Sequence, residues 1–136
     1  MKVMLDKDAI MPVRAHSTDA GMDLFSREDK VIERNRWGIF DTGVHIALPE
    51  GTVGYLKSKS GLNVKHGITS EGVIDVGYTG SIVVKLYNHG ASDYIVRKGD
   101  KITQLVIQPI LAPTLELVDS LDETDRGDGG FGSSGR

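Results

Sequence analysis

Apolar residues along this chain recur in short alternating or β-branched runs, and stretches with the 3.6-residue period of a helix are hard to find. Turn-forming sequences such as Leu48–Gly51 and Arg97–Asp100 separate the runs. Only Ser60–Lys65 is expected to form a short helix. The pattern predicts strands at Asp23–Ser26, Lys30–Glu33, Gly38–Phe40, Val44–Leu48, Thr52–Ser58, Ser81–Tyr87, Tyr94–Val96, Lys101–Pro109 and Thr114–Val118.

Many short strands at this spacing are typical of an antiparallel sandwich, barrel or jelly roll. We therefore predict an all-β fold, a distorted jelly roll or β-sandwich barrel. The length of 136 residues fits one domain. We place that domain at residues 1–125 and a separate C-terminal arm at residues 126–136.

The predicted arm differs in composition from the rest of the chain. From Arg126 to Arg136 it is rich in glycine and nearly without apolar side chains, so it cannot build a core and is expected to be mobile. A disordered tail would have the same composition. Yet a lone aromatic residue, Phe131, lies among the glycines, and arginines bracket the run. An arm that closes over a stacked base and a phosphate needs those residues.

Composition excludes several classes of protein. Cysteine is absent, which excludes a disulfide framework, a thiolate nucleophile and a zinc site built on sulfur. The net charge of −3 argues against a nucleic-acid-coating protein, so we expect no direct nucleic-acid binding. There is no apolar run of about 20 residues, and the charged first residues do not fit a signal peptide. We expect a cytoplasmic protein that does not contact membranes.

Four segments carry residues suited to chemistry, although each alone also fits an ordinary structural role. Ala20–Leu24 contains Asp23 where a turn enters a strand, and Lys59–Leu62 offers a cation, a hydroxyl and a glycine amide. Gly72–Gly80 holds Asp75 and Tyr78, and Gly99–Leu105 holds Gln104. The four histidines lack metal-ligand spacing, and no nucleophile elbow or Walker loop is present.

Together with Arg126–Gly135, these four segments resemble the five motifs of the trimeric dUTPase family, in the family's order and nearly its spacing. The resemblance runs from about Asp23 to the last residue. It implies a β jelly roll that assembles as a homotrimer, with active sites shared between subunits. In each site, one chain supplies the second and fourth motifs, another supplies the third, and the last supplies the arm.

The resemblance also implies a reaction. dUTP is hydrolysed to dUMP and pyrophosphate by attack of water on the α-phosphorus, which keeps uracil out of DNA and supplies dUMP for thymidylate synthesis. Asp75 orients and deprotonates the water, and Tyr78 lies against the deoxyribose, where its ring excludes a 2′-hydroxyl. Mg²⁺ is held by the phosphates and by waters, one of which Asp23 grips. The implied substrate contacts are Lys59, Ser60, Gly61, Gly72, Val73, Ile74, Tyr78, Gln104, Arg126, Phe131, Gly132, Ser133 and Ser134.

One departure concerns Lys59, which stands where the family usually has arginine. Lysine keeps the charge but loses the bidentate fork. Two alternatives remain. A dCTP deaminase shares the fold and a stretch similar to Ile74–Gly80, but it needs a glutamate on the following strand, where this chain has Lys85. A dUTPase-like protein could also be a regulatory, protein-binding molecule without activity.

Overall fold

The computed structural model describes residues 1–130, so the predicted contacts of Phe131, Gly132, Ser133 and Ser134 lie outside the described residues. Within that range the chain forms ten strands and one helix. The elements are β1 (Lys2–Leu5), β2 (Gly21–Phe25), β3 (Lys30–Ile32), β4 (Trp37–Asp41), β5 (Val44–Ala47), β6 (Thr52–Lys57), α1 (Ser60–His66), β7 (Ile68–Ile74), β8 (Val83–Asn88), β9 (Tyr94–Val96) and β10 (Lys101–Pro109).

The strands form three antiparallel sheets. The large sheet has the order β2-β10-β6-β7-β8-β4, and the pairs β1-β5 and β3-β9 form two small ones. All strand pairs in the described part of the chain are antiparallel. The predicted all-β jelly roll is confirmed.

The core lies between the sheets, because each of them contributes fully buried side chains. Val44 comes from the β1-β5 pair and Ile32 from the β3-β9 pair, while Phe40, Leu86 and Leu105 come from the large sheet. Alternate residues of β4 and β8 point inward, as the two-residue period of a half-buried strand requires.

Strand β7 is the joint of the large sheet. Its first part, Ile68–Ser70, pairs with β8, whereas its second part, Glu71–Ile74, pairs with β6. The strands β2, β10 and β6 therefore lie on one side of β7, and β8 and β4 lie on the other. After Ser70 the two halves of the sheet separate.

The predicted helix at Ser60–Lys65 is confirmed as α1, which ends at Gly67 in the left-handed conformation. The predicted strand Thr114–Val118 is wrong, because no strand follows β10 as far as residue 130. Its apolar alternation is real, but Leu115 and Leu117 are 93% and 100% exposed, and the segment has no partner strand within residues 1–130. The sequence pattern missed β1 and β7. Within residues 1–130, no helix is long and apolar enough to cross a membrane.

Asn88, at the end of β8, is buried and fully hydrogen-bonded. Its side-chain amide donates to the carbonyls of Ile32 at 2.8 Å and Ser92 at 2.9 Å, and its carbonyl accepts from the Gly90 amide at 2.9 Å. Asn88 thereby ties β3 to the turn between β8 and β9.

Replacing Asn88 with alanine is expected to lower the free energy of unfolding by about 2–4 kcal/mol, since it leaves buried main-chain groups without partners. Denaturant titration measures this change. Asn63→Ala on the exposed face of α1 is the matched control and should leave stability nearly unchanged. Equal losses for the two variants would show that the Asn88 network contributes little.

Candidate active site

A cleft opens where β7 leaves β8. It has a volume of about 210 Å³, and its wall includes residues from β6, β7 and the segment that leads into β8. Main-chain groups of β7 that point away from β6 have no strand partner here within the described residues, because the pairing with β8 stops at Ser70. The lining residues are Leu56, Gly72, Val73, Ile74, Asp75, Tyr78, Ile82 and Val83.

The cleft carries its polar side chains on the loop that follows β7. The Tyr78 amide donates to the Asp75 carbonyl at 3.1 Å, which closes a tight turn in which Gly77 has a φ of 91°. The Tyr78 hydroxyl donates to the Ser81 carbonyl at 3.0 Å. Tyr78 is 49% exposed, so part of its surface is available to a ligand.

Gly80 lets the Tyr78 ring take this position. A Cβ added at Gly80 would lie 2.5 Å from the Tyr78 hydroxyl oxygen and 2.6 Å from Cζ, so any side chain there would displace the ring. Gly72 has a similar role on β7, because its Cβ would lie 3.0 Å from Cδ1 of Leu56. Gly72 and Gly80, the two ends of the segment Gly72–Gly80, therefore set the shape of the cleft.

A second group of polar residues, the Asp23 cluster, consists of Asp23, Lys59, Lys101 and Gln104. Asp23 on β2 is only 7% exposed. Its Oδ1 accepts a hydrogen bond from Lys59, and its Oδ2 lies 2.8 Å from Nζ of Lys101. Burial acts to raise the pKa of Asp23, but the hydrogen bonds from Lys101 and Lys59 outweigh it and lower the pKa below its usual value.

Gln104 completes the cluster from β10. Its side-chain amide donates to the Ser58 carbonyl at 3.1 Å, just before Lys59 and the first residue of α1, Ser60. The side chain lies over Gly21, where an added Cβ would come within 2.5 Å of Oε1. Gln104 is therefore a positioned amide and not a free residue on the wet face of a sheet.

Buried hydroxyl groups connect the strands beneath these two sites. The hydroxyls of Ser70 and Thr103 are 2.7 Å apart, and Thr103 also donates to the Lys57 carbonyl at 3.0 Å. Ser58 donates to the Ser70 carbonyl at 3.1 Å and accepts from the Ser70 amide at 2.9 Å. This hydroxyl chain links β6, β7 and β10 through neutral groups.

The structure thus divides the sequence-predicted residues into two sets. Asp23, Lys59 and Gln104 lie together, with Ser60 and Gly61 on the adjoining first turn of α1. The cleft holds the other set: Gly72, Val73, Ile74, Asp75 and Tyr78. Arg126 joins neither set, because its side chain donates to the Gly129 carbonyl at 2.8 Å in a local turn.

The sequence analysis missed Lys101 as a partner of Asp23. Regular alternation along β10 would place Lys101 on the face opposite to Gln104. The register shift between Lys101 and Thr103 breaks that alternation and brings the lysine to β2. The sequence signal that could have identified this partner is a basic residue, Lys101, three positions before Gln104.

No group of three or more histidine, cysteine, aspartate or glutamate residues that could hold a metal ion occurs in residues 1–130. Asp23 is the one carboxylate of its cluster. A carboxylate has about four lone-pair sites, so Asp23 can accept a metal-bound water as well as its two ammonium partners. These residues fit a metal ion that arrives with ligands of its own, and they do not fit a protein-built cage.

Asp23 should make protein stability depend on pH in the acid range. Because its pKa in the fold is below the unfolded value of about 3.9, its contribution is fully present above that value and is lost as the pH falls through the folded pKa. Denaturant unfolding of the wild type and Asp23→Asn measures the difference between about pH 6 and pH 3. The difference should shrink as the pH falls. Glu50→Gln, in an exposed turn, is the control, and a similar slope for both variants would contradict the role of Asp23.

Comparisons with known proteins point to one family. The family model described as dUTPase matches residues 7–135. The deoxyuridine 5′-triphosphate nucleotidohydrolase of Clostridium tetani is 47% identical over 98% of this chain and 94% of its own length. A solved structure of a variant Staphylococcus bacteriophage 80alpha dUTPase with dUpNHpp is 34% identical, with a TM-score of 0.92 over 99% of this chain and 98% of that chain.

A further solved structure is that of a variant dUTPase from phage phi11 of S. aureus. It is described as revealing how a structural Mg(II) ion is coordinated in that protein. It is 33% identical, with a TM-score of 0.83 over 90% of this chain and 98% of that chain. The sequence matches extend over nearly the whole chain, and the solved structures share its fold. The chain belongs to the dUTPase family.

Proposed function

We propose that the protein hydrolyses dUTP to dUMP and pyrophosphate, and so keeps uracil out of DNA and supplies dUMP for thymidylate synthesis. The observation that carries the proposal is the cleft at the β7 joint. It combines an unpaired strand edge with Asp75 and Tyr78, in a chain that belongs to the dUTPase family. We propose the cytoplasm as its location, since the substrate is a precursor of DNA.

The strand edge suits recognition of a pyrimidine. Main-chain amides and carbonyls of Gly72, Val73 and Ile74 have fixed positions because β6 holds the other edge of the strand. Uracil can pair with such an edge as it would with a base. Cytosine presents the opposite pattern of hydrogen-bond donors and acceptors on part of its base edge, and the methyl group of thymine needs extra room. The Tyr78 ring, backed by Gly80, then takes the deoxyribose and leaves no space for a 2′-hydroxyl.

Asp75 is the proposed catalytic residue. It is exposed at the end of β7, beside Tyr78, where a carboxylate can accept a hydrogen bond from a water molecule. In the reaction, Asp75 orients this water and takes its proton as the oxygen attacks the α-phosphorus. The bond between the α-phosphorus and the bridging oxygen breaks, and pyrophosphate leaves. Positioning supplies much of the rate, because an aspartate is a weak base.

The Asp23 cluster and the first turn of α1 are the proposed phosphate-binding side. Ser60 offers a hydroxyl, Gly61 an amide on a residue with open space where a side chain would stand, and Gln104 a positioned side-chain amide. Lys59 adds positive charge, although its ammonium is already hydrogen-bonded to Asp23. From the arm, we propose that Phe131 stacks on uracil and that Arg126, Gly132, Ser133 and Ser134 close over the phosphates.

Mg²⁺ is proposed to enter with the triphosphate, and bound there it would neutralise charge on the leaving pyrophosphate. Asp23 is the residue that would hold one of its waters. The absence of an acidic cage in residues 1–130 supports this arrangement, because Mg²⁺ keeps much of its hydration shell.

We further propose a homotrimer with shared active sites, and the register of the large sheet supports it. Ile74 pairs with Gly54, which pairs with Ile107, three residues from Gln104 on β10. From the strand rise and spacing, Asp75 and Gln104 of one chain are roughly 15 Å apart. This separation favours sites in which a second chain supplies one of the two sets.

The segment that follows β10 supports assembly independently. Leu111, Leu115, Leu117 and Leu121 are each at least 87% exposed. A single chain rarely exposes so much apolar surface on one segment. Packing against another subunit would bury these side chains and carry the arm to a neighbouring site.

The first test is the reaction itself. The wild type should release pyrophosphate from dUTP in the presence of Mg²⁺, and Asp75→Asn should lower turnover by about 10²–10⁴-fold while it retains affinity for a non-hydrolysable dUTP analogue. Ammonia release from dCTP is the opposing outcome. We expect none, because Lys85, which stands where a deaminase needs glutamate, lies over the rings of Trp37 at 4.3 Å and Tyr87 at 5.0 Å. A folded wild type without pyrophosphate release would favour the regulatory alternative.

The second test is complementation between two inactive variants. Asp75→Asn chains are refolded together with Ser60→Ala/Gln104→Ala chains, and pyrophosphate release is compared with that of each variant alone. If sites are shared, about a quarter of the sites in a random equal mixture combine the intact parts, and activity returns to that extent. No recovery in trimers shown to be mixed would mean that each chain builds its own site.

A further inference from the structure

His45 on β5 contacts the loop of the proposed nucleoside site from behind. Its Nδ1 lies 2.8 Å from the Thr79 carbonyl oxygen, and its Nε2 lies 3.2 Å from Oδ1 of Asp6. The side chain is only 17% exposed. Thr79 comes directly after Tyr78, so this histidine holds the loop one residue from the proposed sugar-binding ring.

Both ring nitrogens of His45 face atoms that can only accept hydrogen bonds. A carbonyl has no proton to give, and an ionised carboxylate has none either. A neutral imidazole carries one N–H and can satisfy one of the two, whereas the imidazolium satisfies both. The hydrogen bond to Thr79, followed by the interaction with Asp6, raises the pKa of His45 against the opposing effect of burial.

The other charged groups around the ring come from several elements. Asp41, at the end of β4, adds negative charge and is paired with Arg27 at 3.0 Å. Arg27 also lies 3.7 Å from Asp6. Lys2 on β1 lines the same shallow pocket as His45. Asp75 begins the loop itself, and residues 76–80 carry no formal charge.

The loop has few other attachments. Within residues 1–130, the other hydrogen bonds of residues 76–80 stay inside the loop region: the Tyr78 amide to Asp75 and the Tyr78 hydroxyl to Ser81. The loop becomes fixed to the fold again at Ser81, whose hydroxyl donates to the Asp41 carboxylate, and at Ile82, whose amide donates to the Val44 carbonyl at 2.8 Å. The contact between His45 and Thr79 therefore fixes the middle of the loop to β5.

We propose that protonated His45 is a positioning residue of the nucleoside site: it holds the Thr79 carbonyl and thereby sets the Tyr78 ring against the deoxyribose. The proposal rests on the proposed function, since it takes Tyr78 as the sugar-binding residue. His45 does not touch substrate. Loss of its proton or of its ring should loosen the loop, weaken nucleotide binding and relax discrimination between dUTP and UTP.

Steady-state kinetics across pH tests this. In the wild type, KM for dUTP should rise roughly three- to ten-fold as the pH rises through the raised pKa of His45, with a smaller change in kcat. His45→Ala should show the higher KM at every pH and weaker rejection of UTP. His45→Gln, which can still donate to Thr79, should recover much of the affinity without the pH step. Asp6→Asn should move the step to lower pH.

His16→Ala is the matched control, because His16 is an exposed histidine whose ring lies beside Asp19 and not beside the loop. A second readout does not need turnover: amide hydrogen exchange of residues 76–80 should speed up in His45→Ala and not in His16→Ala. If exchange and KM change no more in His45→Ala than in the control, the proposal is overturned. If exchange responds but no variant or wild type hydrolyses dUTP, the proposed function fails while the anchoring of the loop stands.

Discussion

The change of partner in β7 is the constraint on which the site depends. One strand joins the two halves of the large sheet, and it cannot pair fully with both β6 and β8 because the halves separate after Ser70. The separation leaves a strand edge that β6 holds in place but that has no partner strand among residues 1–130. Such an edge would usually invite aggregation, and here it lines a cleft together with the loop that follows. The exposed edge is the surface for which we propose recognition of a base.

The two sets of site residues use different physics. The cleft relies on main-chain groups and one aromatic ring, whose positions follow from glycines at 72 and 80. The Asp23 cluster relies on charge, with one buried carboxylate held between Lys59 and Lys101. Two partly exposed ammonium groups on one buried carboxylate leave a local net positive charge, which suits the approach of a triphosphate to a protein whose overall charge is negative.

Local pattern predicted most of this fold, and its failures have physical causes. Alternation located β4, β8 and β10, and turn residues located their ends. The pattern did not predict β7, because its glycine and its polar residues resemble a turn and its pairing depends on other strands of the large sheet. The exposed leucines between residues 111 and 121 resemble a strand in sequence. An alternating pattern indicates that one face becomes buried, but it does not indicate whether the covering surface belongs to the same chain. Motif residues were located by resemblance, whereas Lys101 and His45 depend on a register shift and on tertiary contacts that no local pattern encodes.

The hydroxyl chain of Ser58, Ser70 and Thr103 holds the strands beneath the site with neutral hydrogen bonds. The charged groups of the site are therefore distinct from the groups that hold its strands together. The members of the hydroxyl chain are neutral and Ser70 and Thr103 are buried, so ions in the surrounding solution do not screen the hydrogen bonds among them. The charges of the proposed phosphate-binding side are partly exposed and do respond to ionic strength. Changes in cellular salt would therefore alter how strongly a nucleotide is attracted and would leave the shape that receives it unchanged.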